Sequence, residues 1–182
     1  MTDSNWDQIH HDQNTMERAE EISKAYLDAR DNFKTEADDN PFLIGNDNFV
    51  GRIAEMLVIQ HFMRDASTHS IHRPKSNSHK GADLMLNFGR SDEQLISVKC
   101  ITHENSRGRS SEVVLPDGIE LNDVNQKHST VRLSILLVQI EEDLSYFIYD
   151  VTQGNWHSRK SRDITARDVE GASPICSGSL AL

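Results

Sequence analysis

The chain has 182 residues, 36% of them hydrophobic and 26% charged, an ordinary make-up for a globular protein and enough for one domain with its own core. No run of about 18 apolar residues is present, the acidic, polar start is unlike a signal peptide, and two distant cysteines, Cys100 and Cys176, have no metal spacing, so a reducing cytoplasm is expected rather than a membrane, a zinc site or a disulfide framework. The net charge of −10 lies mostly in residues 1–48, with 12 acidic against 4 basic residues, leaving 17 against 15 beyond, so acidity excludes neither a nucleic-acid partner nor a cation-dependent site.

Taken in order, residues 1–14 are polar and expected to fray. From Thr15 a helix is predicted, with Met16, Ala19, Ile22, Tyr26, Ala29 and Phe33 at helical spacing and a heavily acidic outer face. After the break at residues 36–41, Asn46 or Asp47 can cap a second helix running to about Arg64. Its stripe of Phe49, Val50, Ile53, Ala54, Leu57, Val58, His61 and Phe62 is too wide for a lightly docked surface helix, and Glu55 lies on its flank. Gly51 in this helix is read as room for another backbone to pass close. A polar connection follows, containing Arg73-Pro74-Lys75, with Ile71 in a short edge strand.

Two apolar runs then form a hairpin, residues 81–88 and 95–101, around a polar break containing Gly89. Residues 102–111 are a loop by composition. Val113-Val114-Leu115 makes a brief strand stopped by Pro116, and residues 119–125 a short helix. The clearest further strands are 131–140, apolar almost throughout and so expected to be covered on both faces, and 144–151. Residues 156–182 are first basic, then Gly/Ser-rich and expected to be loose. The fold class is therefore α/β, a mixed α+β sheet flanked by helices. One domain spans 1–182, with an N-terminal helix and connection over 15–45, a core over 46–155, and a tail. No glycine-rich phosphate loop follows a strand, so nucleotide-dependent chemistry has no support.

The chemistry gathers on the hairpin. Alternation puts Leu84, Leu86 and Phe88 on one side of the first strand and Asp83 on the other; on the second, Ile96, Val98 and Cys100 oppose Ser97 and Lys99. A carboxylate and an ammonium on a half-buried sheet need partners. They are either a rim salt bridge, Asp83 with Lys99, or parts of a site.

Gly51-Arg52-Ile53-Ala54-Glu55 on the helix, Gly81-Ala82-Asp83 opening one strand and Ser97-Val98-Lys99 on the next resemble the PD-(D/E)xK nuclease superfamily, the fold of many restriction endonucleases and Holliday-junction resolvases. The likeness spans about residues 47–101. It implies a restriction endonuclease-like core and hydrolysis of DNA phosphodiesters with Mg²⁺, or Mn²⁺ in its place, a hard cation that takes oxygen ligands. Asp83 would be the principal ligand, the Val98 carbonyl another, and Glu55 would bind directly or through water. Lys99 would orient or activate the attacking water.

One position departs from the family pattern. Ser97 stands where the family has Glu or Asp, leaving the site one negative charge short. Glu55 is the favoured substitute. Glu112, which follows Lys99 after twelve intervening residues, is the other, as in one restriction-enzyme subgroup that places a longer insert between its Asp and Ser than the thirteen residues found here. Lys80, Arg107, Arg109, Arg159, Lys160 and Arg162 are candidate phosphate contacts, which give affinity rather than sequence information. The leading expectation is a restriction-type endonuclease acting on double-stranded DNA as a homodimer. The alternatives are a repair or junction-resolving nuclease, and a DNA-binding module with a degenerate site.

Overall fold

In a computed structural model, residues 6–9, 13–37, 48–74, 82–102, 111–114, 132–153 and 161–180 are described. In chain order they form β1 (Trp6–Gln8), α1 (Gln13–Ala37), α2 (Asn48–Met63), β2 (Ile71–Pro74), β3 (Leu84–Leu86), β4 (Gln94–Thr102), β5 (Ser111–Val114), β6 (Arg132–Ile140), β7 (Ser145–Asp150), β8 (Ser161–Ile164), a single 3-10 turn (Ala166–Val169) and β9 (Cys176–Ser179). Seven strands make one mixed sheet in the order β1-β2-β3-β4-β6-β7-β9, and β5 pairs with β8 in a separate antiparallel ribbon. β4 and β6 form the parallel pair, in register from Gln94 opposite Arg132 to Thr102 opposite Ile140. A parallel pair requires a crossover, and residues 103–131 supply it. The helix expected at 119–125 lies outside the described residues.

Burial follows the alternation of the strands. Ile71, Leu84, Leu86, Ile96, Val98, Leu136, Val138, Ile140 and Ile148 face α2 and form the larger core. Ile101, Ile135, Leu137 and Val151 face the other way, against Ile164 of β8 and Val169 of the 3-10 turn. β6 is thus covered on both faces, as its unbroken apolar run predicts. Among the described residues both helices pack into the same core, while the β5–β8 ribbon and the 3-10 turn contribute to the other; the sheet expected to be flanked by helices is covered asymmetrically.

Several expectations are corrected. Trp6–Gln8, expected to fray, is a strand pairing with β2, so β2 is an interior strand and not an edge. The tail, expected to be loose from Ala166, returns to the sheet as β9, with backbone pairing from Ser145 opposite Ser179 to Ile148 opposite Cys176. Small residues suit that strand, because Tyr146 lies over Gly178. A Cβ at Gly178 would stand 2.5 Å from Tyr146 Oη and 2.7 Å from its Cζ. Since the Tyr146 ring is buried, Gly178→Ala is expected to cost about 1–3 kcal/mol by overpacking, read as a lower urea midpoint at unchanged slope.

In α1 Met16, Ala19 and Tyr26 of the predicted side pack against the core, but not every residue of that side does. Ser23 and Leu27 are buried, whereas Ile22 is exposed and Ala29 lies outside. Ser23 Oγ donates to Ala19 O within α1 at 2.6 Å, and polar contact with α2 comes from Ser23 Oγ, 3.6 Å from Met56 Sδ, and from Gln60, which donates to Glu20. Gly51 also reads differently in three dimensions, since a Cβ there would meet nothing within 4 Å. Among the described residues no close backbone approach requires it. Among the described residues no helix is long and apolar enough to cross a membrane.

Burial also shapes the response to pH. Desolvation lowers the pKa of both His61 and His72, the latter with its Nδ1 buried and without a hydrogen-bond partner among the described residues and its ring 5.4 Å from that of Phe88. The unfolded chain therefore binds protons more readily than the fold, and stability falls as pH drops below about 6.5. Melting at about pH 7.5 and pH 5.5 should reveal a smaller loss in His72→Gln than in the wild type.

Candidate active site

The site is built where β3 and β4 part. Leu84 is the register partner of Ile96, yet the Asp83 N–H also donates to Ile96 O at 2.8 Å. Two residues of one strand thus oppose one of the other, which is the geometry of a β-bulge, a device that redirects a side chain and ends pairing. Beyond it the Asp83 side chain takes over from the backbone. Its Oδ2 accepts the Val98 N–H at 2.7 Å, and Ser97 Oγ stands 3.5 Å from the same oxygen, longer than an ordinary hydroxyl hydrogen bond. Both contacts use Oδ2. The N–H and C=O of one strand residue address the same neighbour, so the Val98 carbonyl faces this fork too.

Lys99 follows on the Ser97 side of β4, half-buried, opposite Leu137 of β6. Among the described residues no ion pair within 4.0 Å joins it to Asp83, so the rim salt bridge that the hairpin allowed is not formed. Ser97 is 1% exposed. It is a buried hydroxyl beside a carboxylate, on the strand face where a second acid would have been costly to bury.

Glu55 reaches the region from α2. Its side chain is 13% exposed, and two guanidiniums hold it: Arg52 Nη1 donates to Oε2 at 2.8 Å and to Oε1 at 3.2 Å, and Arg73 Nη2 of β2 lies 3.1 Å from Oε2. Burial raises the Glu55 pKa above the usual carboxylate range; Arg73 and Arg52 oppose the shift, and the charge of Asp83 adds to it. Ile71 is buried against the helices, and Arg73 two residues on shares its side of β2, which is how a strand residue meets Glu55.

The oxygen donors at hand are two carboxylates, one hydroxyl and the Val98 carbonyl, a hard set suited to Mg²⁺ rather than zinc. Among the described residues no group of three or more His, Cys, Asp or Glu side chains stands ready for a metal ion.

The other predicted residues are less tightly placed. Glu112 has its backbone on β5, opposite Asp163 of β8, and Arg162 has its backbone on β8, opposite Val113; neither side chain is among those described. Lys80, Arg107, Arg109, Arg159 and Lys160 lie outside the described residues. Arg52 and Arg73 were missed by sequence reasoning. The spacing of Arg52 and Glu55 by three on one helix was a usable signal. Arg73 was hidden in a segment read as polar connection. The chain matches no protein-family model, no curated protein and no solved structure.

Proposed function

We propose that this chain is a divalent-metal-dependent endonuclease that hydrolyses phosphodiester bonds of double-stranded DNA, with a site similar to that of PD-(D/E)xK nucleases. The observation that carries the reading is Asp83 held at a strand fork by the Val98 N–H, beside Ser97 and within electrostatic reach of Glu55. The order of α2, three antiparallel strands and a crossover to a parallel strand is compatible with the restriction endonuclease-like core that the resemblance implies.

In this reading Asp83, the Val98 carbonyl and Glu55 would hold Mg²⁺, with Glu112 as the alternative carboxylate. Bound there, the cation supplies a water that ionises near neutral pH and offsets charge on the phosphate oxygens. Asp83 can serve with Oδ1 while Oδ2 keeps β4 in place. The Lys99 ammonium orients the attacking water and balances the growing negative charge. A restriction-type role as a cytoplasmic homodimer, in which two sites address two strands, remains the leading form of the proposal.

The test is plasmid digestion with Mg²⁺ by the wild type, Asp83→Asn and Lys99→Ala. The wild type is expected to nick or cut, and both variants to fail. Cutting that survives both substitutions would reject the site. Parallel digestion of linear duplex and branched DNA separates the restriction reading from junction resolution. A second reading, a DNA-binding module of the same fold that does not cut, rests on the two guanidiniums that hold Glu55 and on Ser97 standing beside Asp83. Duplex binding without cleavage under any divalent metal would favour it.

A further inference from the structure

Arg73 is only half used. Its Nη2 meets Glu55, but its Nε is buried and has no hydrogen-bond partner among the described residues. A guanidinium offers paired N–H groups that match two oxygens of one anion, and a buried N–H left without an acceptor is costly. Glu55 supplies one oxygen to this group where a phosphate could supply two. Glu55, in turn, carries two guanidiniums while standing within electrostatic reach of Asp83. A divalent cation that drew on the Glu55 carboxylate would compete with Arg73, whose Nη2 lies 3.1 Å from Oε2.

We propose that Arg73 is a phosphate-binding residue that exchanges the Glu55 carboxylate for a DNA backbone phosphate when a divalent cation binds, so that cation and DNA each tighten the other's binding. The proposal rests on the nuclease reading of the site. Without cation, Arg73 neutralises Glu55 and steadies a half-buried carboxylate. With cation, Glu55 turns to the metal, and Arg73 gains an acceptor for both Nη2 and Nε on the phosphate that the metal also attracts. Reciprocity follows from linkage: whatever factor the cation adds to DNA affinity, DNA adds to cation affinity. Arg52 stays with Glu55 on the same helix and is not required to move.

The experiment uses Ca²⁺ as the probe ion, its binding read by calorimetry with and without a mixed-sequence duplex, and DNA binding read by fluorescence anisotropy with and without Ca²⁺. The wild type is expected to show coupling of roughly 10-fold, inside the range of about 5–150-fold usual for linked sites. Arg73→Ala should bind Ca²⁺ more tightly than the wild type without DNA and show little or no coupling. Arg73→Lys keeps the charge and loses the paired donors, so it should fold normally and keep only part of the coupling. Coupling that persists in both variants, or Ca²⁺ binding weakened by Arg73→Ala in a folded protein, overturns the proposal. Asp83→Asn separates the two levels. If it abolishes Ca²⁺ binding while the Arg73 variants behave as wild type, the Arg73 proposal alone fails. If the wild type binds no Ca²⁺, or binds it equally well as Asp83→Asn, the metal site itself fails and the Arg73 proposal with it.

Discussion

Asp83→Asn is expected to fold as the wild type does and to lose DNA cleavage by about 100-fold or more, whereas Asp83→Ala loses cleavage and stability together. The two losses have different origins at one carboxylate. In the proposed nuclease, charge would be needed for the cation and, through it, for stabilising the phosphate at the transition state, a class of interaction worth about 10²–10³ in rate per donor removed. Stability comes from Oδ2, which accepts the Val98 N–H at 2.7 Å where the β3 backbone has turned away. An amide oxygen accepts the same bond, so Asn preserves the fork. Alanine leaves the N–H of a buried residue unpaired, at a cost of about 1–3 kcal/mol. Rates on supercoiled plasmid beside urea unfolding of both variants separate the effects. Equal destabilisation by Asn and Ala would mean that the carboxylate's charge, and not its acceptor, holds the fork.

Ser97 gives that experiment a second axis. An acid at this position would restore the charge that the family pattern has, but Ser97 is 1% exposed and neighbours Asp83. Another buried carboxylate without a cation repels Asp83 and is costly to desolvate. The serine and the half-buried Glu55 are thus one arrangement. The chain balances Glu55 with two guanidiniums and keeps a neutral hydroxyl beside Asp83, at less electrostatic cost than three acids would carry.

How much of this the sequence carried depends on the range of the interactions. The hairpin, α2 and both strands of the β6–β7 pair were legible because period-2 and period-3.6 burial are local signals, and Glu55 could be put on the flank of α2 for the same reason. The bulge at Asp83 was not legible, since it depends on which residue of β4 stands opposite. Nor was β9: Cys176-Ser177-Gly178-Ser179 has none of the apolar alternation of a strand, and it is one because Tyr146 needs a partner without a side chain. Arg73 was missed in the same way. Its role comes from β2 being interior, a consequence of β1 pairing at its outer side, and the polar N-terminal stretch gave no hint of that strand.

The largest stability effect is expected on β6, where the two cores meet. Leu136 and Leu137 are neighbours in sequence and point to opposite faces, Leu136 into the core under α2 and Leu137 into the core with Ile101, Ile135, Val151, Ile164 and Val169. Their exposures are 2% and 0%. In a sheet with one wet face, truncating consecutive residues gives one large loss and one small one. Here Leu136→Ala and Leu137→Ala should each cost about 2–5 kcal/mol, the transfer term plus the cavity left behind. For a chain of this size that corresponds to melting points lower by roughly 2–4 °C for each kcal/mol. The measurement is the urea midpoint at constant slope. Leu137 carries the sharper information, because its cover includes β8, from the basic segment, and the 3-10 turn, from the segment whose sequence reads as a loose tail. A cost at Leu137 below about 1 kcal/mol, beside a full cost at Leu136, would mean that this cover contributes little packing, since a buried leucine cannot be shortened so cheaply in a close-packed core. Leu137 also stands opposite Lys99 across the parallel pair, so the same variant asks whether the second core positions the lysine. If it does, Leu137→Ala lowers cleavage under conditions where the variant is still folded, and Leu136→Ala, on the other face, does so less.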